Sequence, residues 1–155
     1  MKPKVEFYRS KIVMPTKNGE VAHYYNDLMY IKYKDSYCWL FFSGGEKYTV
    51  DISLAELLKK LPQKPFFRCN RTEVVNLCYY SEFIENPAVV ILEDGSEFSL
   101  SVRSNKGFKK KKDNLRYYSP PCRNCSDCKK GSCRDYWLFS NEPDSVNNDT
   151  EWLEY

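Results

Sequence analysis

The chain has 155 residues, 42% of them hydrophobic and 16% aromatic, which is one domain of ordinary size with room for an appendage and enough apolar surface for a core. No apolar run approaches the roughly 18 residues of a transmembrane helix, and the N-terminal MKPKVEFYRSK has no apolar block behind its charges, so a membrane span and a signal peptide are not expected and a cytoplasmic location is. The net charge of +3 divides unevenly: six of the 21 acids fall in residues 135–155, which hold no Lys or Arg, so residues 1–134 carry 24 bases against 15 acids and favour a polyanionic partner.

Residues 11–33 read as strands around Asn18-Gly19, a hairpin dipeptide because both residues tolerate positive φ. Met29, Ile31 and Tyr33 alternate with Tyr30, Lys32 and Lys34, the period of a half-buried strand. Lys34-Asp35-Ser36 reads as a turn, YCWLFF as a buried strand, Ser43-Gly44-Gly45-Glu46 as a second turn, and Tyr48, Val50 and Ile52 as one strand face. At Ser53 the period changes. Ser53-x-x-Glu56 is a capping-box pattern, Leu54, Leu57, Leu58 and Leu61 follow at helical spacing, and Pro62 ends the segment, so one short core-facing helix is expected.

The next stretch, FFRCNRTEVVNL at 66–77, enters and leaves a core through apolar residues but carries Arg68, Asn70, Arg71, Thr72 and Glu73 between them. An ordinary turn would use Gly or Pro. A row of hydrogen-bonding side chains points to a loop read from outside, although Arg71 as a surface partner of Glu73 or Glu82 is the competing reading. Asn76, between Val75 and Leu77, is expected to tie down backbone. VVILEDGSEFSLSVR then supplies a second hairpin at Asp94-Gly95, with Phe98, Leu100 and Val102 alternating against Glu97, Ser99 and Ser101. Residues 103–116, RSNKGFKKKKDNLR, hold seven bases and one acid and read either as a short terminal helix without a clear apolar face or as a solvated end.

Phe67-Arg68-x-Asn70-Arg71-Thr72-x-Val74-Val75-Asn76-Leu77 resembles the central signature of the LytTR family of DNA-binding domains, F-x-R-x-H-R-S-x-[IV]-V-N. The flanks agree in order: DLMYIKYKDSYCWL and SLAELLKKLP before it, LEDGSEFSLSVR after it, about residues 11–112 in all. The resemblance implies a mainly β, elongated arrangement of small antiparallel sheets with one short helix. It also implies sequence-specific binding of double-stranded DNA through loops, in bacterial transcription control, with two copies on repeated sites as a further expectation. Tyr37, Arg71 and Arg103 stand at the family's DNA-facing positions. Asn70 replaces the usual His, Thr72 replaces Ser, and Val102 replaces the first Arg of the family's S-R-R.

The chemistry of these residues agrees with that implication. An Arg fork can bond guanine O6 and N7 together, worth about 1–3 kcal/mol of discrimination, and Asn70 could read adenine in the same bidentate way. Arg68, Thr72 and Lys106 suit phosphate oxygens, and the run Lys109, Lys110, Lys111, Lys112 suits counterion release.

Of seven cysteines, Cys38, Cys69 and Cys78 lie in apolar contexts and read as small buried side chains. Cys122-x2-Cys125-x2-Cys128-x4-Cys133 brings four thiols into twelve residues. In a reducing compartment that pattern fits a tetrahedral zinc shell, with unbound thiols as the alternative. His23, the sole histidine, is not expected to join it. No enzyme signature appears.

The expected division is therefore an N-terminal extension at 1–10, a LytTR-like domain at 11–116, a Cys-rich segment at 117–134 and an acidic tail at 135–155. The expected function is that of a stand-alone regulator without a receiver domain. The alternative is a zinc- or redox-responsive protein-interaction module on the same fold without DNA binding.

Overall fold

The computed structural model describes residues 5–9, 11–62 and 65–116, the side chains of 112–116 excepted. The Cys-rich segment and the acidic tail lie outside the described residues. Among the described residues there are three antiparallel sheets. The first joins β1 (Glu6–Phe7), β2 (Lys11–Thr16) and β3 (Gly19–Tyr24), so strand pairing starts at Glu6, opposite Val13. The β2–β3 hairpin forms where Asn18-Gly19 marks it, but one residue earlier than that dipeptide implies: Lys17 and Asn18 make the turn, and Gly19, at φ 150°, pairs with Thr16 as the first residue of β3, while Asn18 does not take positive φ.

The second sheet is central. It contains β4 (Leu28–Lys34), β5 (Tyr37–Phe42), β6 (Lys47–Val50), β7 (Phe66–Arg68) and β8 (Glu73–Asn76), in the order β6-β5-β4-β8-β7. The third joins β9 (Tyr80–Ile84), β10 (Val89–Leu92) and β11 (Glu97–Ser99) in meander order. Asp94-Gly95 makes the last hairpin. Gly95 takes φ 90°, which a Cβ would resist, and Asp94 accepts hydrogen bonds from the Ser96 amide and hydroxyl.

The central sheet is buried on both faces, and each face has its own core. Leu28, Ile31, Cys38, Leu40, Phe42, Phe66 and Val74 pack against the first sheet and helix α1 (Leu54–Lys60). Met29, Phe67, Val75 and Leu77 pack against the third sheet. A bulge in β4 makes this possible. Leu28 opposes Phe42 while Tyr30 opposes Phe41, so Met29 is the extra residue and the faces exchange across it. Strict alternation of Met29 with Ile31 is therefore broken: the two residues belong to different cores. Helix α1 forms as its pattern predicts. Ser53 Oγ accepts the Glu56 amide at 3.1 Å, and Leu54, Leu57 and Leu58 are buried.

Two findings correct the expected fold. There are two α-helices among the described residues, the second being α2 (Val102–Arg116). Among its described side chains the buried aromatic is Phe108, 1% exposed and set among Phe67, Tyr80 and Phe83. One aromatic docked in a preformed cluster takes the place of a stripe, which is why periodicity alone does not mark the helix. The second correction is Val102. It does not continue the Phe98–Leu100 strand face; β11 ends at Ser99, and Val102 opens α2 at 79% exposure.

Asn76 is structural, as its place between apolar residues implies. Its Nδ2 donates to Leu28 O at 2.9 Å and its Oδ1 accepts the Cys78 amide, joining the end of β8 to the start of β4.

Candidate nucleic-acid interface

The loop between β7 and β8 is built by Asn70. Its Oδ1 accepts the Thr72 amide at 3.0 Å and the Thr72 hydroxyl at 3.3 Å, while its Nδ2 donates to Glu73 Oε1 and to Ser99 O, both at 2.8 Å. Arg68 also turns back on the loop, its Nη2 donating to Arg71 O at 2.8 Å. Arg71 and Thr72 are exposed. Glu73, a candidate partner for Arg71, is engaged elsewhere: its Oε2 lies 3.7 Å from Lys32 Nζ.

Hydrogen bonds to its backbone carbonyls tie this loop to a segment on either side. Toward β4, the Tyr33 amide donates to Thr72 O at 2.8 Å. Toward α2, the Ser101 amide donates to Cys69 O at 3.0 Å, and the Ser104 hydroxyl donates to Arg68 O at 2.9 Å. The three segments that carry Tyr37, Arg71 and Arg103 are thereby joined in one framework, although 66 residues separate the first from the last in sequence.

The turn that presents Tyr37 has a defined shape. Asp35 and Ser36 take φ of 54° and 70°, and Lys34 pairs with Tyr37, so a two-residue turn of the kind that suits strand twist closes the β4–β5 hairpin. Tyr37 is 43% exposed at its root.

Helix α2 begins at a cap that no apolar pattern marks. Ser101 Oγ accepts the Ser104 amide at 3.1 Å, and the Asn105 amide donates to Ser101 O. From there helical geometry divides the side chains. Ser104 and Phe108 are buried and Lys111 is half-buried on one side. Arg103, Lys106, Lys109 and Lys110 are exposed within about a third of the circumference on the other, at 100° per residue. Lys109 and Lys110 of the lysine run thus join Arg103 and Lys106 in a basic stripe on the side away from the Phe108 anchor. Exposed cations of this kind suit the neutralisation of phosphates.

Of the residues singled out in the sequence, Tyr37, Arg71, Thr72, Arg103, Lys106, Lys109 and Lys110 are exposed, whereas Arg68 and Asn70 are spent in large part on the loop itself. Sequence reasoning overlooked Ser101 and Ser104. A Ser three residues ahead of another, next to a strand end, was the available signal. Cys38 and Cys69 are poorly suited to metal or redox chemistry: burial pushes the Cys38 thiol up to about 12 and also raises that of Cys69, whereas Cys78 is half-buried and not buried as its apolar context implies. Among the described residues no group of three or more His, Cys, Asp and Glu could hold a metal ion, and no helix is long and apolar enough to cross a membrane. Cys122, Cys125, Cys128 and Cys133 lie outside the described residues.

Comparison with known proteins places this geometry. The family model described as the LytTr DNA-binding domain matches residues 21–113. A solved structure described as the LytTr DNA-binding domain of a methyl-accepting/DNA response regulator from Bacillus cereus superposes with a TM-score of 0.58, over 66% of this chain and 95% of that one, at 22% identity. At that identity the likeness speaks for the fold. No curated protein matches the chain significantly.

Proposed function

The chain belongs to the LytTR family of DNA-binding domains, and on that premise we propose that it is a sequence-specific transcriptional regulator that grips duplex DNA through loops and not through a recognition helix. LytTR domains are non-catalytic DNA-binding modules, and no enzymatic role is assigned.

One observation carries the reading. The exposed Arg71 stands on a loop that hydrogen bonds tie to Tyr33 of β4, the strand that leads into the Tyr37 turn, and to the start of α2. Each segment alone is a surface feature. Joined, they form a composite edge in which Arg71 is held ready for a base edge, with Tyr37 and the Arg103, Lys106, Lys109 and Lys110 stripe flanking it for backbone contacts. Pre-ordering of such a loop lowers the entropy lost on binding. Two copies acting on repeated half-sites complete the proposal.

The test is selection of bound duplexes from a random pool, followed by titration of the recovered site at several salt concentrations. A recovered motif, bound with a strongly salt-dependent affinity, supports the reading. A pool that yields no enriched sequence refutes it. Sedimentation of the complex on one and on two half-sites reads the copy number.

A further inference from the structure

Asn70 has four hydrogen-bonding opportunities in its side chain, two donors and two acceptor lone pairs. All four are used within the protein. Nδ2 meets Glu73 Oε1 and Ser99 O, and Oδ1 meets the Thr72 amide and hydroxyl. The partners come from three places: the loop itself, the first residue of β8, and the last residue of β11. Reading adenine would require both the amide oxygen and the amide nitrogen, the atoms already committed. Releasing them would leave the Thr72 amide and Ser99 O without these bonds, at a cost comparable with what an adenine contact supplies.

The network continues behind Asn70. Glu73 holds Asn70 with one carboxylate oxygen and Lys32 with the other, and Lys32 Nζ lies 5.5 Å from the Phe98 ring centroid and 5.8 Å from that of Tyr30. The ammonium is thus placed over the aromatic edge of the second core. Lys32 and Glu73 are strand partners, so the pair has a fixed base. A chain of contacts runs from the core through Lys32, Glu73 and Asn70 to Thr72, the immediate neighbour of Arg71.

We propose that Asn70 is a positioning residue for DNA recognition, which fixes the 70–72 loop on Glu73 and Ser99 and thereby aims Arg71, and does not itself read a base. This deepens the DNA-binding reading above and rests on it. Lys32 and Glu73 act as the fixed support of that loop. The position where the family usually has His is here filled by an amide that can accept and donate at once, which the loop geometry uses in full.

A double-mutant cycle on the selected site tests the assignment. Asn70→Ala should lose most of the discrimination that Arg71 supplies, about 5- to 150-fold for a bidentate contact. The double variant N70A/R71A should bind within about twofold of R71A, because the two residues then act as a unit. Exchange of the Thr72 amide with solvent should rise in N70A before any DNA is added. Asn70→Asp, which keeps the acceptor for Thr72 but loses both donated bonds, supplies the same cycle if the Ala variant does not fold. Losses that multiply independently in the double variant would show a separate base contact by Asn70 and overturn the proposal, as would an unchanged Thr72 amide. Wild-type protein that enriches no sequence overturns the DNA-binding reading itself, and is distinguished from the first result because no cycle can then be measured.

Discussion

Ser104 donates its hydroxyl to the carbonyl oxygen of Arg68 across 2.9 Å, a side-chain tie between the start of α2 and the end of β7. Ser104 is fully buried. Its hydroxyl also accepts from Ser101, so the helix cap and the strand that enters the β7–β8 loop share one hydrogen-bonded junction. Ser104→Ala is expected to cost about 1–3 kcal/mol of stability, the range for removing one partner of a buried hydrogen bond. Urea denaturation measures it. A loss within 0.5 kcal/mol, taken as roughly the noise of an ordinary surface change, would show the junction to be incidental.

Phe108→Ala probes the other half of the same docking. The ring fills a pocket formed with Phe67, Tyr80 and Phe83 and is the aromatic anchor of α2. A cost of about 3–5 kcal/mol is expected for emptying such a site. Because α2 also carries the basic stripe, affinity for DNA should fall in protein that still shows the circular dichroism of its sheets. Retained affinity would separate the stripe from DNA binding.

Arg71→Ala should leave the fold intact, because the side chain is exposed, and should remove roughly 1–3 kcal/mol of specific binding. The readout is the ratio of affinities for the selected site and a scrambled duplex. An unchanged ratio would withdraw Arg71 from base reading and leave it at most a backbone contact.

Replacing Lys106, Lys109 and Lys110 together by Gln should act differently. These three side chains are exposed on one side of α2, away from Phe108. If each neutralises a phosphate, specific and non-specific binding should weaken together, and the slope of log K against log salt should fall by about 2–3, at roughly 0.9 per phosphate. A slope that does not move would make the stripe a solvated face.

The elements legible in the sequence are those whose signal is local. Asp94-Gly95 marks its turn because positive φ, taken by Gly95, is a property of single residues; Asn18-Gly19 locates the β2–β3 hairpin to within one residue; and α1 is marked by a cap and a leucine stripe within nine positions. The elements that were not legible depend on distant partners. Helix α2 shows no apolar stripe among its described side chains, and Phe108 becomes an anchor only because Phe67, Tyr80 and Phe83 converge on it from other strands. The β4 bulge emerges only when Leu28 and Tyr30 are set against β5. Asn70 shows the same limit at the site. Its residue type fits base reading, but its bond to Ser99 O spans 29 positions and assigns the amide to the loop. Tyr37, Arg71 and Arg103 are exposed, and a motif can mark such positions because a surface position has few tertiary demands to satisfy.

The four thiols beyond α2 make the last prediction, and the cysteines of the body make it measurable. Cys38 and Cys69 are fully buried, with thiols pushed up to about 12 and higher, so neither forms an appreciable thiolate near neutral pH and neither should react with a disulfide reagent in native protein. Cys122, Cys125, Cys128 and Cys133 have the spacing for a zinc shell, and gathering four thiolates needs a cation to offset their repulsion. Protein prepared under reducing conditions without added metal should therefore contain close to one zinc per chain. Chelation should raise the number of rapidly reacting thiols by four, while the far-ultraviolet dichroism of the sheets stays unchanged. Serine at any two of the four positions should abolish the metal content. All four thiols reacting at once in metal-free protein would instead identify an unliganded segment. Because Cys122 follows the last residue of α2 by only six positions, chelation should also be tested against DNA affinity: a fall in affinity with no change in the dichroism would link the metal to the basic stripe, and an unchanged affinity would leave the two independent.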